Sequence, residues 1–205
     1  CNAWGSGPEL AHALRSSGAS LLCVDGERLL RLGPELGACS ELSAVIATRA
    51  SASQLSAAGD RLRVSTLEQV LGPSAAWSQL PLQTLPEVAL APDDDALIFF
   101  TSGTTGKPKG AVCTHRNACS NTLTTACAQA RASLRRGHEP PPPPSPSSAQ
   151  RALLLAVPMF HVMGCMPWLL AGLHNGSKLV LMHKWDAGRA LQLIERERIT
   201  QSGGV

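Results

Sequence analysis

Ten residues, from Thr101 to Gly110, combine glycines, hydroxyls and lysines in a pattern that is typical of anion binding. Three glycines in the segment allow positive φ and close backbone approach, so that successive N–H groups can converge on phosphate oxygens. Pro108 favours an extended Lys107, which directs Lys109 to a similar side. Hydroxyl and ammonium groups supplement the amides at Thr101, Ser102, Thr104, Thr105, Lys107 and Lys109. The segment is therefore predicted to surround a polyphosphate.

The glycine spacing excludes one common phosphate-binding motif. A Walker A loop has four residues between its glycines and a Ser or Thr after its Lys. Here two residues separate Gly103 from Gly106, and Pro108 follows Lys107. Composition alone also allows a flexible linker rich in Gly, Ser and Thr. Apolar runs at 95–100 and 111–113 argue against a linker, because they predict a strand on each side of the loop.

Composition limits the classes of function. The 205 residues are 44% hydrophobic, which is enough for one domain with a substantial core. A net charge of +3 creates no strong field toward nucleic acid or an anionic membrane, and the absence of Tyr leaves few surfaces for base stacking. We therefore expect no nucleic-acid binding. Nor does any apolar run approach the roughly 20 residues of a transmembrane segment.

Seven cysteines are spread along the chain without a C-x-x-C pair or a Cys/His cluster at zinc spacing. This pattern predicts reduced, mostly buried thiols and no metal-ligating residues. Reduced thiols are typical of an intracellular protein, and we expect a cytoplasmic or peroxisomal location.

Alternating apolar runs and helical patterns predict an α/β fold, a layered sheet with flanking helices. Ser6, Pro8 and Glu9 form the start of a capped helix that ends near Gly18. Residues 19–24 and 44–47 are interpreted as buried strands of a parallel sheet. Residues 51–92 are undecided apart from a short helix at 66–71. Further elements are predicted as a helix at 114–134, a strand at 152–157, a helix through Leu173, a strand at 177–182 and a helix capped by Asp186.

A proline-rich segment interrupts this alternation. Residues 135–150 include an unbroken run from Pro140 to Pro144, followed by Ser and another Pro. Such a sequence offers few backbone donors and no apolar face. It is predicted to be a solvated, disordered insertion with polyproline-like character.

The string from Phe100 to Gly110 resembles the AMP-binding signature of the superfamily that contains acyl-CoA synthetases, luciferases and peptide-synthetase adenylation domains. The resemblance implies that a carboxylate attacks the α-phosphorus of ATP, and that the thiol of coenzyme A then takes the acyl group. ATP, Mg²⁺ and coenzyme A are the implied cofactors. Implied cofactor-binding residues are Thr101, Ser102, Gly103, Thr104, Thr105, Gly106, Lys107 and Lys109, with Lys109 also catalytic. Residues 93–95 are interpreted as a solvated strand lead-in rather than as magnesium ligands.

A second string, Pro158 to Gly164, resembles an element of acyl-CoA synthetases in which an aromatic residue and a His follow a strand. By itself, a lone His is more often a packed structural residue. With the upstream loop, His161 becomes a candidate catalytic residue that lines the acyl site or controls thiol entry. Residues 2–18 and 178–199 also resemble ligases of fatty or related acids, which favours acyl-CoA synthesis over peptide-synthetase adenylation.

Three later elements of the superfamily do not occur in the sequence: a Tyr-Gly-x-Thr-Glu segment, an Asp that holds the ribose, and a Lys on a mobile C-terminal domain. Residues 1–205 are therefore expected to be a partial N-terminal domain, inactive by itself. A non-catalytic nucleotide or acyl binder and a peptide-synthetase adenylation segment are the alternatives. The expected partners are a small carboxylic acid, ATP and coenzyme A.

Overall fold

The structure, a computed structural model, describes residues 1–80, 86–101, 107–140, 145 and 149–203. It consists of two units: the first comprises Cys1–Leu90 and Ile98–Ala111, and the second comprises Ala91–Leu97 and Val112–Val205. The centre of the glycine-rich loop, 102–106, lies outside the described residues, as do seven residues of the proline-rich segment at 141–144 and 146–148. The disorder predicted for 135–150 therefore stays a prediction, although a helix extends into its first residue.

A three-stranded parallel sheet forms the centre of the first unit, with strand order β1-β2-β3. The strands are β1 (Leu21–Asp25), β2 (Ala44–Thr48) and β3 (Arg63–Thr66). The α-helices are α1 (Gly7–Ser17), α2 (Gly26–Leu32), α3 (Ala52–Ser56) and α4 (Leu67–Leu71), and 3-10 helices cover Gly33–Ala38 and Ser74–Gln79. The predicted parallel sheet with flanking helices is confirmed for this unit.

Helix α1 begins and ends where local signals place it. The Ser6 N–H donates to Glu9 Oε2 at 2.7 Å, and Gly18 ends the helix with a left-handed φ of 61°. One face of α1 is buried through Leu10, Ala11, Ala13 and Leu14. This face packs on a core that also contains Leu29, Leu32, Leu36, Leu42 and Val45. The helix is therefore a firm support for any side chain on its remaining surface.

The interpretation of β1 as a buried strand is wrong. Leu21 is 50% exposed, and Cys23 is also exposed. The reason is the strand order, which leaves β1 at an edge, whereas β2 has neighbours on both sides and is mostly buried. The expectation of mostly buried thiols is wrong as well. All seven cysteines lie in the described part of the chain and none pairs, but Cys39 and Cys165 alone are buried.

Strands β4 (Asp95–Thr101) and β5 (Lys109–Thr114) pair as a two-stranded sheet and flank the glycine-rich loop, as predicted. The helix that follows, α5 (His115–Arg135), begins at a Thr114 cap, whose Oγ1 accepts from the Asn117 N–H at 3.2 Å. Each of the two strands is divided between the two units. The loop and its ends, 98–111, belong to the first.

The second unit contains a parallel sheet with strand order β7-β6-β8. Its strands are β6 (Ala152–Leu155), β7 (Lys178–Leu181) and β8 (Gln201–Gly203). Helices α6 (Val162–Gly164) and α7 (Ala171–His174) are joined by a π-helical segment, Cys165–Leu170, and α8 (Ala187–Glu197) follows β7. The central strand β6 is buried at all four residues, and Leu154 forms a small core with Met182, Ala190 and Leu193. Among the described residues, no helix is both long and apolar enough to cross a bilayer.

Candidate functional site

The two ends of the glycine-rich loop lie side by side at the end of the β4–β5 pair. Strand β4 ends at Thr101 and β5 begins at Lys109. The Thr101 hydroxyl donates to the Lys109 carbonyl at 3.5 Å, which is a long hydrogen bond. The pairing therefore brings Thr101 and Lys109 together, although seven residues separate them in sequence.

Lys107 and Lys109 carry positive charge at the described end of the loop. Both residues are exposed, and neither forms an ion pair with any residue that the structure describes. By contrast, Lys178 in the second unit contacts Glu197 at 2.6 Å. Two unpaired ammonium groups beside a glycine-rich backbone are suited to a polyanion.

Gly110 has a packing role at the start of β5. A Cβ atom there would lie 2.8 Å from Ile98 Cγ2 and 3.3 Å from the Phe100 ring. Because Gly110 has no side chain, the β5 backbone can pack against the side chains of these two β4 residues. This glycine therefore stabilises the strand pair that supports the loop.

Helix α1 contacts the loop from the side. His12 Nε2 lies 3.0 Å from the carbonyl oxygen of Pro108, between the two lysines in sequence. A cavity of about 70 Å³ adjoins this contact and is bounded in part by Glu9, Phe100 and Thr101. Pockets for small molecules are usually about 300 Å³ or larger, so this cavity does not enclose a nucleotide.

Asp93 and Arg116 connect the start of β4 to the start of α5 within the second unit. Arg116 Nε and Nη2 donate to the two Asp93 carboxylate oxygens at 2.7 and 2.9 Å, a bidentate pair. The Arg116 N–H also donates to the Pro92 carbonyl at 2.7 Å. The Arg116 guanidinium holds the pKa of the Asp93 carboxyl below its ordinary value. The predicted solvated lead-in is thus exposed, but it is also ion-paired.

We expect the Asp93 carboxyl to titrate below its ordinary range, and Arg116→Gln to return its pKa toward that range. Because the folded pKa is lowered, the pair's contribution to stability is present above the unfolded pKa and is lost as pH falls through the folded pKa. Carboxyl-carbon NMR titration measures the shift directly. Glu197, whose pKa is lowered by Lys178 and Arg196, is an internal control that the variant should leave unchanged. Identical Asp93 titration in the two proteins would contradict the assignment.

His161 lies in the second unit, at the residue before α6. Its side chain is exposed, and its ring centroid lies 5.1 Å from that of Phe160. The His161 N–H donates to the Pro158 carbonyl at 3.1 Å, and its own carbonyl accepts from Gly164 and Cys165 at 3.0 Å. These bonds close a tight corner from Pro158 to Gly164 that holds the His161 backbone.

Gly164 makes this corner possible. A Cβ atom at this position would overlap the Pro158 carbonyl oxygen and would lie 2.7 Å from the Pro158 carbonyl carbon. The π-helical segment begins at the next residue and contains Pro167, which has no N–H to donate. Such segments often occur near functional sites. The sequence pattern predicted an ordinary helix here, because π-helical geometry has no local signature.

The predicted site residues fall in different parts of the structure. Thr101, Lys107 and Lys109 belong to the first unit, whereas His161 belongs to the second. Ser102, Gly103, Thr104, Thr105 and Gly106 lie outside the described residues. Within the described ranges, no three His, Cys, Asp or Glu side chains gather to hold a metal ion. Sequence reasoning missed the contact from His12, for which no local pattern exists.

The curated proteins that are similar to the chain include the following two. A 4-coumarate–CoA ligase from Narcissus pseudonarcissus is 36% identical over 116 residues, which cover 57% of this chain and 19% of the relative. A feruloyl-CoA synthase from Amycolatopsis sp. is 31% identical over 202 residues, which cover 97% of this chain and 31% of the relative. The chain thus spans about a third or less of these relatives.

A solved structure shows the same fold. The inhibitor-bound N-terminal domain of FACL13 from Mycobacterium tuberculosis matches 100% of this chain and 42% of its own length, with a TM-score of 0.57 and 24% identity. The family model for the AMP-binding enzyme matches residues 2–205. This match includes the glycine-rich loop with its two strands and the His161 corner. The chain therefore belongs to the AMP-binding enzyme family, whose members here are adenylate-forming acid–CoA ligases.

Proposed function

We propose that the protein is an ATP-dependent acid–CoA ligase, of which this chain carries the phosphate-binding loop. The observation that carries the proposal is the strand–loop–strand arrangement at Thr101–Lys109, where a glycine-rich sequence lies beside two lysines that form no ion pair with a described residue. Thr101, Lys107 and Lys109 would hold the β and γ phosphates of ATP, together with the loop residues 102–106.

The reaction proceeds in two steps. A carboxylate oxygen attacks the α-phosphorus of ATP, so that an acyl-adenylate forms and pyrophosphate leaves. The sulfur of coenzyme A then attacks the acyl carbon, and AMP leaves. The triphosphate repels the incoming carboxylate and gains charge at its leaving group, so neutralisation by fixed donors is the main task of the loop.

Mg²⁺, when bound with ATP, would supply positive charge that neutralises part of the charge on the phosphates. The described carboxylates do not gather into a set that could hold it, and we assign no step to the metal through this chain. Coenzyme A supplies the accepting thiol. His161, exposed at its corner, is proposed to line the acyl site or to control thiol entry.

The acid substrate is proposed to have an apolar body, with a fatty or related acid as the first choice. The two relatives are named for 4-coumarate and for feruloyl-CoA, both of which contain an aromatic acid. We therefore include aromatic acids among the proposed substrates. The seven unpaired thiols support a reducing compartment, in the cytoplasm or the peroxisome.

We expect the isolated 205-residue chain to bind ATP weakly and salt-sensitively, and to catalyse no acid-dependent exchange between ATP and pyrophosphate. Exchange requires the α-phosphorus, ribose, adenine and carboxylate to be fixed together. Effective molarities as high as ~10⁵ M come only from well-oriented reactants, so a nucleotide held by its β and γ phosphates forfeits most of that gain. Exposed charge pairs weaken as salt rises, which explains the expected salt dependence.

The test is calorimetric ATP titration at two salt concentrations, beside a pyrophosphate-exchange assay with aliphatic and aromatic acids. Lys109→Ala should abolish ATP binding, whereas Lys184→Ala, which removes an exposed lysine of the second unit, should not. ATP binding that survives Lys109→Ala would sink the assignment of the loop. Acid-dependent exchange that this variant abolishes would show that the chain already holds a complete adenylation site. If a longer protein that contains this chain binds ATP but catalyses no exchange, a non-catalytic binder is favoured instead.

A further inference from the structure

We propose that His12 is a positioning residue for Lys107 and Lys109, at the described end of the phosphate-binding loop. Its Nε2–H donates to the Pro108 carbonyl, and this bond holds Lys107 and Lys109 in the arrangement that receives a triphosphate. The inference rests on the proposed function of the loop, and it adds a residue from α1, far away in sequence, to that site.

The geometry assigns the direction of the bond. His12 Nε2 and the Pro108 oxygen are 3.0 Å apart, and the contact is partly buried. A carbonyl oxygen only accepts hydrogen bonds, so Nε2 must carry the hydrogen. Ser16 Oγ lies 3.5 Å from the same nitrogen, which is a weaker contact. The Pro108 carbonyl is therefore the principal partner of the ring.

Helix α1 is a rigid anchor for this bond. Its neighbours on either side of His12, Ala11 and Ala13, are 0% and 2% exposed, so the helix cannot turn without disturbing the core. The cap at Ser6 and Glu9 fixes its first turn. A side chain on such a helix has few alternative positions. It can therefore hold the group that it contacts to within a fraction of an ångström.

The carbonyl that His12 contacts lies between two lysines in sequence. Lys107 and Lys109 flank Pro108, carry like charge and have no ion-pair partner among the described residues. No ion pair with a described residue therefore restrains either side chain. A bond to the carbonyl between them restrains the backbone of both, so less order has to be acquired when a triphosphate binds.

The experiment compares three variants of the 205-residue chain with the wild type. His12→Leu removes the donor and keeps an apolar side chain, whereas His12→Gln restores an N–H donor at a similar reach. Ser16→Ala is the matched control, one turn along the same helix. The two readouts are hydrogen exchange of segment 107–111 by mass spectrometry and the affinity for inorganic tripolyphosphate. Melting temperature checks the fold of each variant.

His12→Leu should lower tripolyphosphate affinity by about fivefold, the value of one typical net hydrogen bond, and should speed exchange of the segment. His12→Gln should recover both properties to within about twofold, and Ser16→Ala should match the wild type. A folded His12→Leu protein with unchanged exchange and affinity would overturn the proposal. A folded His12→Gln protein as weak as His12→Leu would also overturn it, because packing rather than the donor would then matter. If the wild type binds no tripolyphosphate, the proposed function fails, and the exchange comparison still decides whether His12 holds the loop.

Discussion

Replacing Lys109 with alanine should slow adenylate formation by about a hundredfold in a ligase that contains this chain, while sparing thiol transfer from a supplied acyl-adenylate. Lys109 is exposed beside the loop and unpaired within the described residues, so its charge is available to the departing pyrophosphate. Pyrophosphate takes no part in the second step. A hundredfold loss corresponds to about 2.7 kcal/mol of transition-state stabilisation, confined to the first half-reaction.

Single-turnover assays of the two half-reactions, each followed by quenching and product separation, measure the two rates independently. Thr104→Ala, which removes a neutral donor of the same loop, should give the same asymmetric pattern. Lys184→Ala controls for the general loss of one surface charge and should leave both rates unchanged. Equal loss in both half-reactions for Lys109→Ala would point to a structural role of the loop instead.

Replacing Gly164 with alanine should destabilise the second unit by about 3 kcal/mol, at the upper end of the cost of overpacking. The new methyl group would overlap the Pro158 carbonyl oxygen and would lie 3.1 Å from the Met159 nitrogen. These are backbone atoms, so no side-chain rotation can relieve the overlap. The corner that carries His161 would have to open, and its hydrogen bonds to Pro158 and Gly164 would weaken.

Gly188→Ala is the matched control, since this glycine also lies in a helix of the second unit. A Cβ atom there would meet only the Asp186 Oδ1 atom, at an ordinary contact distance of 3.5 Å. Alanine should therefore stabilise α8 by about 0.5–1 kcal/mol. Urea unfolding of both variants measures the two free energies. Equal stability of Gly164→Ala and wild type would show that the corner adapts at little cost.

Local signals predicted the elements that depend on neighbours in sequence. The cap at Ser6 and Glu9 placed α1, and Asp186, which accepts from the Arg189 N–H at 2.6 Å, placed α8. A short apolar run, by contrast, does not specify its neighbours in a sheet. The run at 19–24 looked like a buried strand, but its position at the edge of the sheet exposes Leu21.

Among the elements of the first unit that escaped prediction, α2 and β3 show why. No element was predicted at 26–32, where Asp25 caps α2 by accepting from the Arg28 N–H at 2.9 Å. Strand β3 is four residues long, and its exposed or half-buried pattern offers no clear period. Its position follows from pairing with β2, which is tertiary information.

The residues of the candidate phosphate-binding loop were easier to predict than the residue that contacts the loop from α1. Residue types alone indicated a phosphate-binding loop between two strands, and the structure places β4 and β5 there. The contact between His12 and Pro108 joins residues 96 positions apart. No local pattern encodes such a contact, since it depends on how α1 packs on the core. Thus the groups that we propose to bind phosphate were visible in the sequence, and the group that we propose to position them was not.

The order of strands in the second sheet has a consequence for synthesis on the ribosome. Central strand β6 pairs with β7 on one side, but its other partner, β8, is made about 48 residues after it. At about 5–20 residues per second, the Leu-rich edge of β6 waits roughly 2–10 s for that partner. During this interval the nascent chain exposes an apolar, unpaired strand edge. We therefore expect it to bind a chaperone that recognises extended hydrophobic segments.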